Sequence, residues 1–198
     1  MQKFASLSII LFVCFAQTKA FSIYGFGFGT RCPTTPIIAD FDQDKYLGKW
    51  YEIERIPMIF ERNLQCVTAE YGKNDNGRVS VKNSGINLAA NKTSMTTGEA
   101  FVPNQSEPNK LVVEFPNQIL FFNVKNQGNY HVWSTDYNNY ALVYSCNIYL
   151  GFIKFEAAWI LSRSKDISLE NSNKLKELLS SNGVKTSTLE TVNQTCNN

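Results

Sequence analysis

Histidine occurs once in the 198 residues. Basic runs, CxxC pairs and internal repeats are missing altogether. Each scarcity closes off a class of function. With only His131 as an imidazole, Ser-His-Asp or Cys-His chemistry would depend on one residue, which strand parity turns outward, so no catalytic residue is assigned. Without CxxC pairs no metal site is expected. Charge of one sign is also lacking. The formal net charge is +2, and it falls to zero if Lys3 and Lys19 leave with a signal segment. A neutral chain without basic runs carries no electrostatic footprint for nucleic acid.

Long apolar runs are confined to the start of the chain. Lys3 supplies a positive region, residues 7–15 an apolar stretch, and Thr18-Lys19-Ala20 the small residues of a cleavage site. The stretch is too short to cross about 30 Å of hydrocarbon, so residues 1–20 read as a secretory signal peptide. Residues 21–198 are then expected to be secreted as a single domain. Cys14 leaves with the signal. Cys32, Cys66, Cys146 and Cys196 remain, which suggests two disulfides with three connectivities open. Sequons at Asn91, Asn104 and Asn193 are candidate glycan acceptors on that route.

What is present is a succession of short strands. Residues 21–45 read as an N-terminal arm, glycine- and aromatic-rich at 21–31 and without strand periodicity. Strand-like segments follow at 48–55, 66–73, 78–83, 93–102, 110–115, 119–124, 129–135, 140–146 and 155–163. Turn signals separate them at 74–77, 103–104, 116–117, 126–128 and 136–139. Such spacing means an all-β sandwich or barrel over about 46–163. One helix is expected at 168–182. Ser168 caps it, Glu170 suits its positive end, Leu175, Leu178 and Leu179 form its apolar stripe, and Asn182-Gly183 stops it. Residues 183–198 form a tail.

Three signatures stand in order along this frame. They are Gly48-Lys49-Trp50, Thr135-Asp136-Tyr137, and Arg163 after Trp159-Ile160-Leu161-Ser162. Together they resemble the kernel pattern of the lipocalin family. Residues 41–57, 135–146 and 158–163 are similar in character to the apolipoprotein D group, and the insect bilin-binding lipocalins share most of these features.

The resemblance implies an eight-stranded antiparallel up-and-down barrel with the helix packed outside. It implies the pairings Cys32–Cys146 and Cys66–Cys196. It also implies that Arg163 stacks on Trp50 at the closed end, with Thr135, Asp136 and Tyr137 as a turn anchor. Matching Trp159 to a cavity position, and counting by twos along each strand, gives the expected lining. Phe155, Ala157 and Leu161 go with Trp159; Val67 and Ala69 with Tyr71; Val79 and Val81 with Asn83; Leu111 and Val113 with Phe115; and Val132 with Tyr130. Glu52 and Glu54 are expected on one face of their strand, where they line the rim or pair with Lys or Arg in preference to serving as an acid pair.

This points to a carrier, not an enzyme, for a small hydrophobic ligand such as a lipid, fatty acid or sterol. No cofactor is expected beyond a bound lipid or bilin. A biliverdin-type pigment carrier and an extracellular interaction protein are the alternatives. The apolar stretch 148–153 falls where a hairpin tip is normally polar. Ile148, Leu150 and Phe152 are therefore candidates for contact with a lipid surface or lipoprotein. Residues 119–122 form either a second apolar edge or a buried strand.

Overall fold

The computed structural model describes residues 25–119 and 122–196, with side chains throughout these except at 117–125. The expected signal peptide, residues 21–24 of the arm and the side chains of the 119–122 edge lie outside the described residues. In chain order the elements are β1 (Phe26–Phe28), α1 (Gln43–Tyr46), β2 (Gly48–Arg55), β3 (Leu64–Lys73), β4 (Val79–Asn87), β5 (Lys92–Phe101), β6 (Lys110–Ile119), β7 (Phe122–Thr135), β8 (Tyr140–Tyr149), β9 (Ile153–Ser162), α2 (Leu169–Ser181) and β10 (Glu190–Thr191).

Each strand from β2 to β9 pairs antiparallel with the next, and β9 pairs back onto β2. The result is a closed eight-stranded barrel with α2 outside it. Closure removes the free sheet edge that an open meander would expose. Alternation puts one set of side chains inside, while β8 is buried on both faces. Its outer face lies under α2, where Leu175 and Leu179 join Tyr140, Leu142, Tyr144, Ala158 and Ile160 in one apolar cluster. Ser168 Oγ accepts from the Asn171 amide and starts α2; Gly183, at φ +77°, follows its end.

Two expected turns are not turns. Pro116 pairs with Lys125 inside the β6–β7 ladder, and Asn126, Gln127 and Gly128 pair with Phe115, Glu114 and Val113. The proline is tolerated because β5 contacts β6 only from Val112 to Glu114, so the strand beyond is an edge on that side. The two short segments read at 110–115 and 119–124 therefore belong to two long strands.

The arm is more ordered than its composition suggested. Phe26–Phe28 pairs with Ile153–Phe155, the part of β9 that β2 leaves uncovered. Further on, buried Asn109 fastens the arm to the barrel. Its side chain donates to the Pro36 and Val132 carbonyls and accepts from the Ile38 amide. A disulfide joins Cys32 to Cys146.

The tail enters the wall between β2 and β3. β10 pairs with Glu54 and Arg55, the Val192 amide donates to the Ile53 carbonyl, and the Cys66 amide donates to the Asn193 carbonyl. The buried Gln194 amide spans the gap, donating to the carbonyls of Glu52 and Val67. The second disulfide, Cys66–Cys196, fixes this wedge.

A bulge reorganises β2. Glu52 lies opposite Leu161 and Glu54 opposite Ile160, so Ile53 is the extra residue. Glu52 and Glu54 therefore take opposite faces, which corrects the expectation of one shared face. The same slip returns Arg55 to the inner face, opposite Trp159.

Candidate ligand-binding cavity

The barrel's closed end is built on Trp50, which is fully buried. Its indole N–H donates to the Tyr46 carbonyl, and the Arg163 guanidinium covers the ring. Gly48 has φ +94°, and a Cβ there would lie 3.3 Å from Arg163 Nη1. That close approach is a physical reason for the glycine two residues before the tryptophan. Thr135-Asp136-Tyr137 closes the neighbouring β7–β8 turn. Asp136 accepts from the amides of Asn138, Asn139 and Tyr140, and the Tyr137 hydroxyl accepts from the Asp42 amide.

Above this floor lies a cavity of about 510 Å³. Of the fifteen residues expected in the lining, Val67, Ala69, Tyr71, Val79, Val81, Asn83, Leu111, Val113, Phe115, Tyr130, Phe155, Trp159 and Leu161 line it. Val132 does not. It sits fully buried in the closed-end cluster with Trp50, Ala141 and Val143. There β7 bulges between Val132 and Ser134. Ala157 is buried but is likewise not part of the lining. Parity names a face of the barrel; it does not say how far up that face the space begins.

Three tyrosines, buried Tyr46 and Tyr71 with half-buried Tyr130, make the polar floor. The Tyr130 hydroxyl lies 2.8 Å from that of Tyr46 and 2.7 Å from that of Tyr71. Burial pushes all three phenols above their usual range, so they stay protonated. Two bonds use two of the three hydroxyl hydrogens, which leaves one O–H to donate into the cavity. Asn83 complements it, because its buried Oδ1 accepts no bond. An unpaired buried acceptor costs stability unless a ligand's donor meets it.

The second polar feature was read only in part: pairing of Glu52 with a basic residue was expected, and Glu61 was not singled out. Glu52 and Glu61 both line the cavity. Glu61 arrives on the short helical turn after β2, with Phe60 beside it. Arg55 Nη1 donates to Glu52 at 2.9 Å, Arg55 Nε donates to Glu190 at 2.8 Å, and Trp159 Nε1 lies 3.3 Å from both Glu61 oxygens. Burial, opposed by Arg55, raises the Glu61 carboxyl to about 7, and burial raises Glu52 well above the carboxylate range. The bulge at Ile53 brings Arg55 to this site, and a bulge has no signature in side-chain alternation. Glu54 instead faces outward to α2, accepting from Ser172 Oγ at 3.0 Å and from Lys176 Nζ at 2.8 Å.

His131 lies on the outside of the barrel, half-buried, with Nδ1 3.0 Å from Thr35 Oγ1. The opposite, open end carries an apolar rim. Leu150 is 82% exposed and Phe28 73%, with Phe28 stacked on Phe152. Ile59, Phe60, Leu88 and Tyr149 are exposed too, whereas Ile148 is half-buried. Sequence reading found only the 148–153 part of this rim.

A family model described as a lipocalin-like domain matches residues 41–194. Apolipoprotein D of Cavia porcellus is 40% identical over 159 residues, which is 80% of this chain and 79% of that protein. The Lazarillo protein of Schistocerca americana is 37% identical over 140 residues, 69% of this chain and 62% of that protein. Among solved structures, insecticyanin from the tobacco hornworm Manduca sexta superposes with a TM-score of 0.69 at 26% identity. That match covers 85% of this chain and 88% of insecticyanin.

Proposed function

The chain belongs to the lipocalin family, and from that premise we propose that it is a secreted carrier. It takes a small hydrophobic molecule, lipid- or sterol-like, into its barrel and transports it outside the cell. The observation that carries this reading is the cavity itself. Apolar and aromatic side chains wall about 510 Å³, with a few polar groups at fixed points. That is the make-up of a site for a hydrophobic ligand with a polar end. Eight strands leave room for one such molecule. Two disulfides suit an oxidising compartment. We assign residues 21–198 to a single mature domain, and the exposed Asn91, Asn104 and Asn193 to glycan acceptance.

The rim supports a finer reading. Leu150, Phe152, Phe28, Phe60 and Leu88 surround the open end, and Arg62 and Lys92 are exposed in the same loops. Exposed apolar groups with basic neighbours suit a lipid surface carrying anionic headgroups. Docking there would pass the ligand between membrane and barrel without crossing water.

A second reading places a linear tetrapyrrole in the same cavity. It is favoured by the unpaired Asn83 Oδ1, a fit for a pyrrole N–H, and by the free tyrosine O–H, a fit for a lactam carbonyl. Protein purified from its native fluid decides between them by visible absorption and by mass spectrometry of its organic extract. A colourless extract with near one equivalent of a lipid or sterol supports the carrier reading. A blue-green pigment at that ratio supports the second. An empty barrel that takes up no hydrophobic probe overturns both and leaves an interaction protein.

A further inference from the structure

The cavity wall holds a charge imbalance that an apolar container does not require. Among the described residues lining it, Glu52 and Glu61 are the only carboxylates, and no lysine, arginine or histidine is part of the lining. Arg55, on the same inner face of β2, adjoins them with its donors engaged. Nη1 binds Glu52, Nε binds Glu190, and Nη2 binds the carbonyls of Glu61 and Leu64. Three carboxylates thus share one guanidinium. Glu190 is the solvent-facing member, its side chain 45% exposed. Glu61 has the weakest share, 4.0 Å from Arg55 Nε, with the Trp159 N–H as its nearer partner.

We propose that Glu52 and Glu61 form a charge-reading subsite for the ligand's polar end. It admits neutral and cationic ends freely and takes an anionic end only together with a proton. This rests on the carrier reading of the same cavity.

The reason is the low dielectric of the wall. A second anion beside a buried carboxylate is repelled far more strongly than in water, so close carboxylate pairs hold a proton between them. Among the described residues, β2 supplies Glu52 and Arg55 to face Glu61, β9 supplies Trp159 and β10 supplies Glu190. Tyr71 from β3 faces Glu52. Only Arg55 is cationic among them, and it is already shared. With the Glu61 carboxyl raised to about 7, the required proton is present below neutrality and scarce above it.

The test uses two fluorescent probes that differ by one fixed charge. N-phenyl-1-naphthylamine is neutral, and 8-anilino-1-naphthalenesulfonate has the same rings plus a sulfonate. Each is titrated into the full disulfide-bonded protein at pH 6 and pH 8. The neutral probe should keep its Kd within about twofold. The sulfonate's Kd should rise about tenfold, as uptake of one proton by a group titrating near 7 requires. Glu61→Gln should flatten the sulfonate profile and tighten binding at pH 8, and Glu52→Gln should act in the same direction. The wild-type profile carries the test even if a variant does not fold. Sulfonate binding that is flat with pH overturns the proposal, and so does an equal pH step for both probes. Failure of both probes to bind at either pH overturns the carrier reading and this inference with it.

Discussion

The guanidinium of Arg163 lies 3.7 Å from the centroid of the Trp50 ring. From that position it donates to the carbonyls of Lys45, Leu47, Lys49 and Tyr137, at 2.9–3.0 Å, with a longer bond to that of Tyr46. One side chain at the end of β9 therefore gathers α1, the start of β2 and the β7–β8 turn. Stacking uses the face of the guanidinium and hydrogen bonding uses its edge, so the two do not compete.

Arg163→Ala should therefore destabilise the barrel by about 2–4 kcal/mol, from the stacking and the lost charge-assisted bonds. Arg163→Lys should recover less than half of this, because an ammonium lacks the planar fork. Urea unfolding checks both. Hydrophobic-probe affinity of the folded variants should stay within about threefold, since Arg163 is not part of the cavity lining. A large loss of affinity at unchanged stability would move Arg163 into the binding site.

The tail wedge should be a cooperative part of the barrel. Replacing Cys66 and Cys196 by serine opens a loop of sequence separation 130 and should cost about 2–5 kcal/mol. Gln194→Ala keeps the disulfide but leaves the Glu52 and Val67 carbonyls without their donor, at a cost of about 1–3 kcal/mol. Hydrogen exchange at the Val192 and Cys66 amides should quicken in both variants. Unchanged exchange in Gln194→Ala would show that the disulfide alone holds the wedge.

The all-β frame was legible because strand alternation and hairpin spacing are local, and β2 runs over the residues its pattern named; barrel closure came from the family resemblance, since local spacing alone suits a sandwich as well. Polar turn residues misled at 116–117 and 126–128, because an edge strand tolerates what a central strand does not. The cavity positions of Tyr71, Asn83 and Trp159 came from the family resemblance, and counting by twos from them reached further lining residues such as Val67, Val81 and Leu161. Parity failed where a bulge resets it, and this concealed the outward turn of Glu54 and the approach of Arg55. Tyr46 was missed because it comes from α1, outside any strand count. The tail wedge depends on contacts between residues more than a hundred positions apart, such as Gln194 and Val67.

At the open end, Leu150→Ser with Phe152→Ser should weaken binding to vesicles containing anionic lipid. The cost should be about 1–3 kcal/mol, the apolar burial those two exposed side chains would otherwise contribute. Flotation with vesicles measures it. Ile148→Ser is a poor probe of this surface, because Ile148 is half-buried and its loss would also disturb the β8–β9 hairpin. Equal flotation of wild type and the double variant would sink the lipid-surface reading and leave the cavity reading untouched.

Stability should depend on pH through carboxyls shifted in opposite directions, Asp136 downward and Glu61 and Glu52 upward. Burial opposes the charge on Asp136, but bonds from the Asn139 side chain and from the amides of residues 138–140 outweigh it and hold its carboxyl below the usual 3.8. Its contribution is therefore present above about pH 4 and lost as pH falls further. For Glu61 the folded value of about 7 lies above the ordinary 4.5. The unfolded chain then releases this proton first, and the Glu61 contribution is lost as pH rises from about 4.5 to about 7; Glu52, raised in the same direction by burial, adds to the loss. Asp136→Asn should remove part of the acid limb of the urea-unfolding profile. Glu61→Gln should flatten the neutral limb and make the barrel relatively more stable at pH 8 than at pH 5. If the wild-type profile is already flat from pH 5 to pH 8, Glu61 is ionised throughout, and its proton is not available to accompany an anionic ligand.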